Sequence, residues 1–389
     1  MNHDVWKPFL KRWSEEWLAV HDVEPRSAFE EPVIDGWLGF PPASAAQVAA
    51  AEARLGRRLP PSLREFLLVT DGWRDAGSFV NRLRGADELG WLRDLDPMWA
   101  EIFEDVYGEE DESGELAMLR RALLISLEAD AGILFLDPED VDEHGEWAAY
   151  ELFSWRATGP ERHVSFYELM YDLHAGFHAL DRPQCQTQRE WDARIEQARR
   201  SSLAGEVDGP LAVLEEAARF GRDRAEVLLF QMAVMLGSTD AGERIESALR
   251  RGDAPSRHLD APLLLAEVLP VLFAEHERID DGCRSRSTLA RLAEHGPEPV
   301  QRLIADYRRQ ASALGFQVRF GGTEFDAAVR AATADPVRDD AWPRLRDALS
   351  MWRPRSDDHL APIALLADPQ VARLITPERG REILAMRRG

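Results

Sequence analysis

Apolar residues recur every three to four positions near the start of the chain, a spacing typical of an amphipathic helix. They are Trp6, Phe9, Leu10, Trp13, Trp17 and Leu18. A second helix is predicted from the capping box formed by Ser44 and Gln47 to Gly56, where a left-handed residue can end it. A third helix then runs to Gly72. The pattern therefore predicts one helix followed by a tight helical hairpin.

After Gly72 the pattern changes to short apolar or alternating runs separated by turn residues, as expected for β-strands. These runs are FVNRL, ALLISL, GILFLD and EWAAYELFSW. Ser165 and Glu168 form another capping box, which predicts a helix through Phe177. Helices, a strand meander and a closing helix together indicate an α+β domain over residues 1–182.

The remainder of the chain, residues 187–389, is dominated by helical patterning, and its one strand-like stretch is GFQVRFGG. The segment IESALRRGDAPSRHLDAPLLLAEVLP can be aligned with LRDALSMWRPRSDDHLAPIALLADP about 100 residues later. We interpret this as an internal duplication, covering about 206–305 and 324–389, in an all-α domain built like helical repeats. Chance similarity in a chain rich in Ala, Leu and Arg is the alternative.

Composition narrows the classes of partner. The formal net charge of -23 repels nucleic-acid backbones, and no apolar run is long enough to span a membrane. Charged residues occupy the N-terminus where a secretory signal has an apolar core, so we expect a cytoplasmic protein. The two cysteines, Cys185 and Cys283, are too few for a four-cysteine zinc site or a disulfide framework. The charge indicates either a basic partner or simply a role in solubility.

The sequence carries no convincing catalytic motif. It has neither a Gly-x-Ser-x-Gly elbow nor a phosphate loop ending in Gly-Lys-Ser/Thr. We therefore expect a protein that is not an enzyme and needs no cofactor. Asp137, Asp140, Asp142 and His144 follow a predicted strand, where they form either a cation site or a polar turn. The polar turn is the commoner structure, and a hydrolase that uses these carboxylates stays as a third functional class.

His174 and His178 have the i, i+4 spacing that can hold zinc on one face of a helix. Ala175 stands where the zinc metalloprotease motif has its glutamate, and Leu173 and Phe177 are apolar neighbours typical of a packing face. We interpret both histidines as structural and expect no metal.

The segment from Glu101 to Glu115 has eight carboxylates and no basic residue. It is either part of an interface for a cationic partner or a solvated loop. Tryptophans precede it and, if exposed, are suited to anchor an interface, although burial in the core is their alternative. The predicted protein-binding residues are Trp73, Trp91, Trp99, Glu109, Glu110, Asp111 and Glu112.

The helical hairpin resembles the SUKH superfamily, specifically the Smi/Knr-type domain. The family pattern has a first helix ending in Leu-Gly, then Leu-Pro, a second helix with Phe-Leu, and a terminal Asn-Gly. The matching residues here are Glu52, Leu55, Gly56, Leu59, Pro60, Pro61, Leu63, Phe66, Leu67, Asp71 and Gly72. The later FLD strand and the SFYELMYDL helix follow the family order, so the resemblance covers about 37–180 and implies a helical hairpin packed on an antiparallel-rich sheet. Asp71 departs from the usual Asn, and the acidic segment looks like an insertion.

The resemblance implies a binding module. Bacterial members are associated with immunity against polymorphic toxins, and fungal relatives are regulatory scaffolds. We therefore expect an immunity-type protein that binds and neutralises a toxin effector, whose basic surface complements this acidic chain. The alternative is a regulatory or scaffolding adaptor whose helical region binds a partner protein.

Overall fold

A computed structural model describes residues 3–21, 33–107, 114–238, 241–251, 259–336 and 339–387 of the chain. The chain divides into two compact units, Met1–Gln188 and Arg189–Gly389. The first is the expected α+β unit and the second is helical, which confirms the predicted fold class.

Along the chain, the helices of the first unit stand before, between and after its strands. They are α1 (His3–Leu18), α2 (Ala45–Leu55), α3 (Pro61–Val69), α4 (Leu92–Leu95), α5 (Met98–Tyr107), α6 (Glu115–Arg121) and α7 (Phe166–Asp181). The strands are β1 (Trp73–Arg74), β2 (Val80–Leu83), β3 (Gly90–Trp91), β4 (Leu123–Leu124), β5 (Ser126–Ala129), β6 (Gly132–Val141), β7 (Trp147–Phe153) and β8 (Glu161–His163). They form two antiparallel sheets, ordered β1-β2-β5 and β3-β4-β6-β7-β8.

The helical hairpin α2–α3 begins and turns at the residues that its sequence marks. The Ser44 hydroxyl accepts a hydrogen bond from the backbone N–H of Gln47, while the Gln47 side chain accepts one from the N–H of Ser44. After α3, Gly72 has φ +103, and a Cβ there would lie 2.9 Å from the carbonyl oxygen of Leu83. The carboxylate of Asp71 accepts a 2.6 Å hydrogen bond from the N–H of Ala86. The Asp-Gly pair thus fixes the turn from the hairpin into the sheets.

The central strands β6 and β7 are buried on both faces. Leu134 and Leu136 belong to a large core with α1, α2, α3 and α7, while Ile133 and Phe135 belong to a second core with α4, α5 and α6. Helices therefore cover both faces of the five-stranded sheet, and period-two alternation of apolar and polar residues is lost in β7. The strand also ends earlier than its sequence pattern predicts, because Trp155 lies beyond Phe153 in a 3-10 turn and is exposed.

The helices of the second unit, together with the helix that spans the boundary, follow in order. They are α8 (Gln186–Leu203), α9 (Asp208–Arg219), α10 (Asp223–Met235), α11 (Ala241–Arg251), α12 (Ala261–Leu263), α13 (Leu269–Arg278), α14 (Thr288–His295), α15 (Glu298–Ala311), α16 (Thr323–Thr333), α17 (Ala341–Leu349), α18 (Pro369–Ala372) and α19 (Pro377–Leu384). A π-helical turn joins α12 to α13, and 3-10 turns span Asp281–Arg286 and Ile363–Ala367. The stretch GFQVRFGG forms no strand, and neither does any other described residue of this unit.

Buried polar side chains hold the non-helical segment before the last helices. The amide oxygen of Gln231, in the buried helix α10, accepts a 2.7 Å hydrogen bond from the N–H of Leu360. The buried carboxylate of Glu267 accepts a 2.9 Å bond from the N–H of Ala364. This segment differs from its aligned counterpart, because Asp260 caps α12, which continues through the π-helical turn into α13, whereas Pro362 leads into a 3-10 turn. The internal duplication stays a prediction.

Candidate functional site

Trp73, predicted as a binding residue, is buried in the core, which was the alternative for the tryptophans, and its side chain offers no surface to a partner in this structure. Its side chain is 0% exposed and packs between Trp13 and Trp37, with ring centroids 5.9 and 5.2 Å away. The physical reason is its place directly after the Asp71-Gly72 turn, where the chain enters the core below α1. Residue type alone does not tell a buried tryptophan from an exposed one.

Trp91 and Trp99 are both partly buried. Trp91 packs against the larger core, while Trp99 packs against the smaller one beside Phe103. Each retains only part of its surface for a partner. Trp99 lies on α5, the helix that begins the acidic segment.

The acidic segment is helical from Glu101 to Tyr107, in α5. Glu101 and Glu104 lie in α5, and the carboxylate of Glu104 pairs with Arg120 of α6 at 2.7 Å. A solvated loop, the alternative for this segment, therefore does not describe its first part. The predicted binding residues Glu109, Glu110, Asp111 and Glu112 lie outside the described residues.

A cluster of exposed apolar side chains lies on and just before α5. Leu95, Met98 and Ile102 are 45%, 53% and 47% exposed, and we call these three residues the α5 patch. Met98 and Ile102 are one helical turn apart, so they share a face of α5, while Trp99 and Phe103 face the smaller core. Exposed apolar groups that recur on one helix face are typical of a docking surface.

Carboxylates border the α5 patch. Asp94, Glu101 and Asp105 are exposed on the same two helices, α4 and α5. Arg93 lies beside them and approaches Asp94 at 3.8 Å. The arrangement is an apolar centre with an acidic rim, which suits a partner that presents an apolar side chain among basic residues.

The α5 patch was not predicted, although the sequence of α5 carries a signal for it. The α5 sequence MWAEIFEDVY has two adjacent apolar pairs, Met98 with Ile102 and Trp99 with Phe103. A surface helix needs only one apolar stripe facing the core, so the second apolar pair indicates a face that projects outward.

The carboxylates proposed as a possible cation site bind arginines. Asp137 accepts two hydrogen bonds from Arg121, at 2.7 and 2.6 Å, and Asp140 accepts two from Arg162, at 2.7 and 2.9 Å. The Arg162 hydrogen bonds hold the pKa of Asp140 below its usual range. Tyr150 donates a further 2.8 Å bond to Asp140, and burial together with this bond raises the pKa of the Tyr150 hydroxyl to about 12. These contacts support a structural network.

The two remaining members of that set form the turn between β6 and β7. The carboxylate of Asp142 accepts hydrogen bonds from the backbone N–H groups of His144 and Glu146, at 2.8 and 2.9 Å. His144 is exposed. The geometry is that of an Asx turn, as the polar-turn interpretation expected.

His174 and His178 lie inside the first unit. They are 2% and 3% exposed, and both face the carboxylate of Glu16 in α1. The two rings form part of the core rather than flanking a packing face.

Comparisons with known proteins agree with the resemblance of the hairpin. The model of the SMI1 / KNR4 family (SUKH-1) matches residues 42–171, which run from the start of the hairpin into α7. No curated protein and no solved structure matched the chain. No helix among the described residues is long and apolar enough to cross a membrane. The first unit therefore contains a domain of the SMI1 / KNR4 family (SUKH-1).

Proposed function

We propose that this chain is a non-catalytic protein of the immunity type, which binds a toxin effector in the cytoplasm and neutralises it by occupying its surface. The α5 patch with its acidic rim is the observation that carries the proposal, because it offers a docking surface on a SUKH domain. The partner class follows from charge. A toxin that attacks nucleic acid presents basic groups, and this chain has a net charge of -23.

The binding energy of such a complex is expected to come from few contacts. Met98 and Ile102 would be buried in the centre of the interface. The carboxylates at the rim would attract a basic partner and disfavour proteins with few basic groups. Neutralisation needs no chemistry on the partner, only an affinity high enough to cover its active surface.

The test compares two double variants of the full chain. Met98→Ser/Ile102→Ser removes the apolar centre, and Val164→Ser/Leu180→Ser is the control, because those residues are 60% and 57% exposed in the same unit. The wild-type chain is used to capture its partner from the native host, and mass spectrometry identifies the partner. The affinity of the purified partner is then measured for all three proteins. We expect the first variant to bind at least roughly tenfold more weakly, and the control to bind like the wild type.

Equal affinities for both variants would remove the α5 patch from the interface. A captured partner with an acidic surface would contradict the proposed partner class. Thermal unfolding of each variant shows whether a lost affinity reflects a lost fold.

A groove in the second unit favours the alternative function, a scaffold that binds through its helical region. The groove has a volume of about 430 Å³, and its lining includes Pro270, Tyr307 and Phe316. Leu314 nearby in sequence is fully exposed. If Leu314→Ser/Phe316→Ser abolishes capture while the α5 variant retains it, the scaffold function replaces the immunity proposal.

A further inference from the structure

A buried cluster of metal-ligating side chains joins both ends of the first unit. Glu16 of α1, His174 and His178 of α7, and Cys185 are 5%, 2%, 3% and 9% exposed. Donor atoms of Glu16, His178 and Cys185 all lie within 4.8 Å of one another. Glu16 lies 162 residues before His178 in sequence, so the fold brings it to the other three residues.

Three donor atoms of this cluster form a small triangle. The Oε2 atom of Glu16 lies 3.0 Å from Nε2 of His178 and 3.4 Å from Nε2 of His174, and the two Nε2 atoms are 3.0 Å apart. In a tetrahedral zinc site with metal–ligand distances of about 2.0–2.1 Å, neighbouring ligand atoms lie about 3.3–3.4 Å apart. The triangle therefore has nearly the size that a zinc ion requires.

Hydrogen bonds alone serve this geometry poorly. If both Nε2 atoms carry protons and donate to Glu16, two donor nitrogens face each other at 3.0 Å. The same carboxylate oxygen already accepts a 3.1 Å bond from the hydroxyl of Thr187. If either Nε2 lacks a proton, its lone pair faces the carboxylate. A cation at the centre of the triangle is attracted by the lone pairs of all three atoms.

We propose that Glu16, His174, His178 and Cys185 form a structural zinc site. The thiol of Cys185 is the fourth ligand, because its sulfur is grouped with donor atoms of Glu16 and His178 within 4.8 Å of one another, and a change of side-chain torsion brings it towards the ion. One carboxylate, one thiolate and two neutral imidazoles balance the charge of Zn²⁺. This balance suits a site with almost no access to water, where a lone carboxylate is costly.

The surroundings hold the ligands in place. The backbone N–H of Thr187 donates a 3.0 Å bond to Oε1 of Glu16, which fixes the orientation of the carboxylate. Phe9 and Trp13 pack against the ring of His174, with centroids 5.3 and 5.1 Å away. Four buried protein ligands that leave no position for water are typical of a structural zinc site rather than a catalytic one.

A second group of possible ligands in the first unit, Glu151, Glu161 and His163, is less suited to a cation. The guanidinium of Arg156 pairs with both carboxylates of that group, at 3.0 Å in the case of Glu161. A positive charge is therefore already in place there. This group supplies a matched control.

The test uses zinc and cobalt ions with the full chain. The protein is stripped with a chelator, reloaded with ZnCl₂ and analysed for bound metal, and its thermal unfolding is followed with and without zinc. We expect about one zinc ion per chain and a higher unfolding temperature with zinc. Co²⁺ in its place should give the visible bands of a tetrahedral site and a thiolate charge-transfer band from Cys185.

Two variants and one control locate the ion. His178→Gln keeps a hydrogen-bonding side chain but should lose zinc, and Cys185→Ser should weaken zinc binding about tenfold and remove the charge-transfer band. His163→Gln should bind zinc like the wild type. The proposal is overturned if the wild-type chain takes up no zinc, if His178→Gln keeps it, or if His163→Gln loses it. The zinc measurement is independent of partner binding, so its outcome leaves the proposed function untouched.

Discussion

At the scale of single residues, the partner that the fold supplies decides what a polar side chain does. Asp137 and Asp140 have the spacing of cation ligands, yet Arg121 and Arg162 occupy their oxygens. His174 and His178 look like ordinary core residues, yet the fold places a carboxylate beside them. Residue type and spacing predicted each candidate, and neither could reveal partners that lie elsewhere in the sequence.

A cluster of arginines around Glu196 predicts how the unfolding free energy of the second unit depends on pH. Hydrogen bonds from Arg199 lower the pKa of Glu196, and bonds from Arg224 and Arg200 lower it further. Burial acts in the opposite direction, and the resulting pKa is about 2 instead of 4.5. Because the folded-state pKa is depressed, the stabilisation is complete above pH 4.5 and is lost as the pH falls towards 2. We expect Glu196→Gln to cost about 1 kcal/mol of unfolding free energy at pH 7.

Urea unfolding at a series of pH values checks this. The difference between wild type and Glu196→Gln should shrink steadily as the pH is lowered from 4.5. Glu298→Gln is the control, because the Glu298 side chain is 78% exposed and its nearest arginine contact is 3.7 Å. A difference that stays constant across this pH range would show that the ion pairs do not stabilise the fold.

At the scale of elements, the sequence predicted the helical hairpin closely and its surroundings poorly. The α2 caps and the turn at Gly72 follow local rules, so they could be derived from adjacent residues. The N-terminus of α3 depends on a distant residue. Its N-cap Pro60 offers no side-chain hydrogen bond, and Glu146 from the β6–β7 turn accepts 2.9 and 2.6 Å bonds from the N–H and hydroxyl of Ser62.

This distant cap predicts that Glu146 links the hairpin to the sheet. Glu146→Gln removes the negative charge at the start of α3 and weakens both hydrogen bonds, so we expect a loss of about 1 kcal/mol in unfolding free energy. Glu143→Gln is the matched control, since Glu143 lies in the same turn with its side chain 87% exposed. Urea unfolding distinguishes the two variants. Equal stabilities would mean that solvent replaces the cap without cost.

The misjudged elements share a physical cause. Trp155 fits the alternation of β7, but the strand ends at Phe153 because a 3-10 turn begins there. GFQVRFGG has strand composition, yet no neighbouring described strand exists in its unit to pair with it. Strand formation depends on partners, whereas a helix satisfies its own backbone, so the helices were predicted better. The second apolar pair of α5 indicated an outward face, whereas the exposed fraction of each side chain in the α5 patch depends on the whole fold.

At the scale of the whole molecule, the net charge of -23 is too large to be explained by one acidic segment. It acts at long range on any charged partner, whereas the α5 patch acts only on contact. The effect of the charges on α4 and α5 can therefore be distinguished experimentally from the effect of the total net charge. A partner steered specifically to α4 and α5 responds to the charges on those helices more than to equal charges elsewhere.

Two triple variants with the same change in net charge distinguish local charge from total charge. Asp94→Asn/Glu101→Gln/Asp105→Asn neutralises the rim, and Glu294→Gln/Glu298→Gln/Glu324→Gln neutralises exposed carboxylates of the second unit. Association rates with the captured partner are measured from low to high salt. The rim variant should associate several-fold more slowly at low salt and show a flatter salt dependence, because local charge steers the encounter. The second variant should change little. Equal effects would mean that total charge attracts the partner and that the rim is not its docking site.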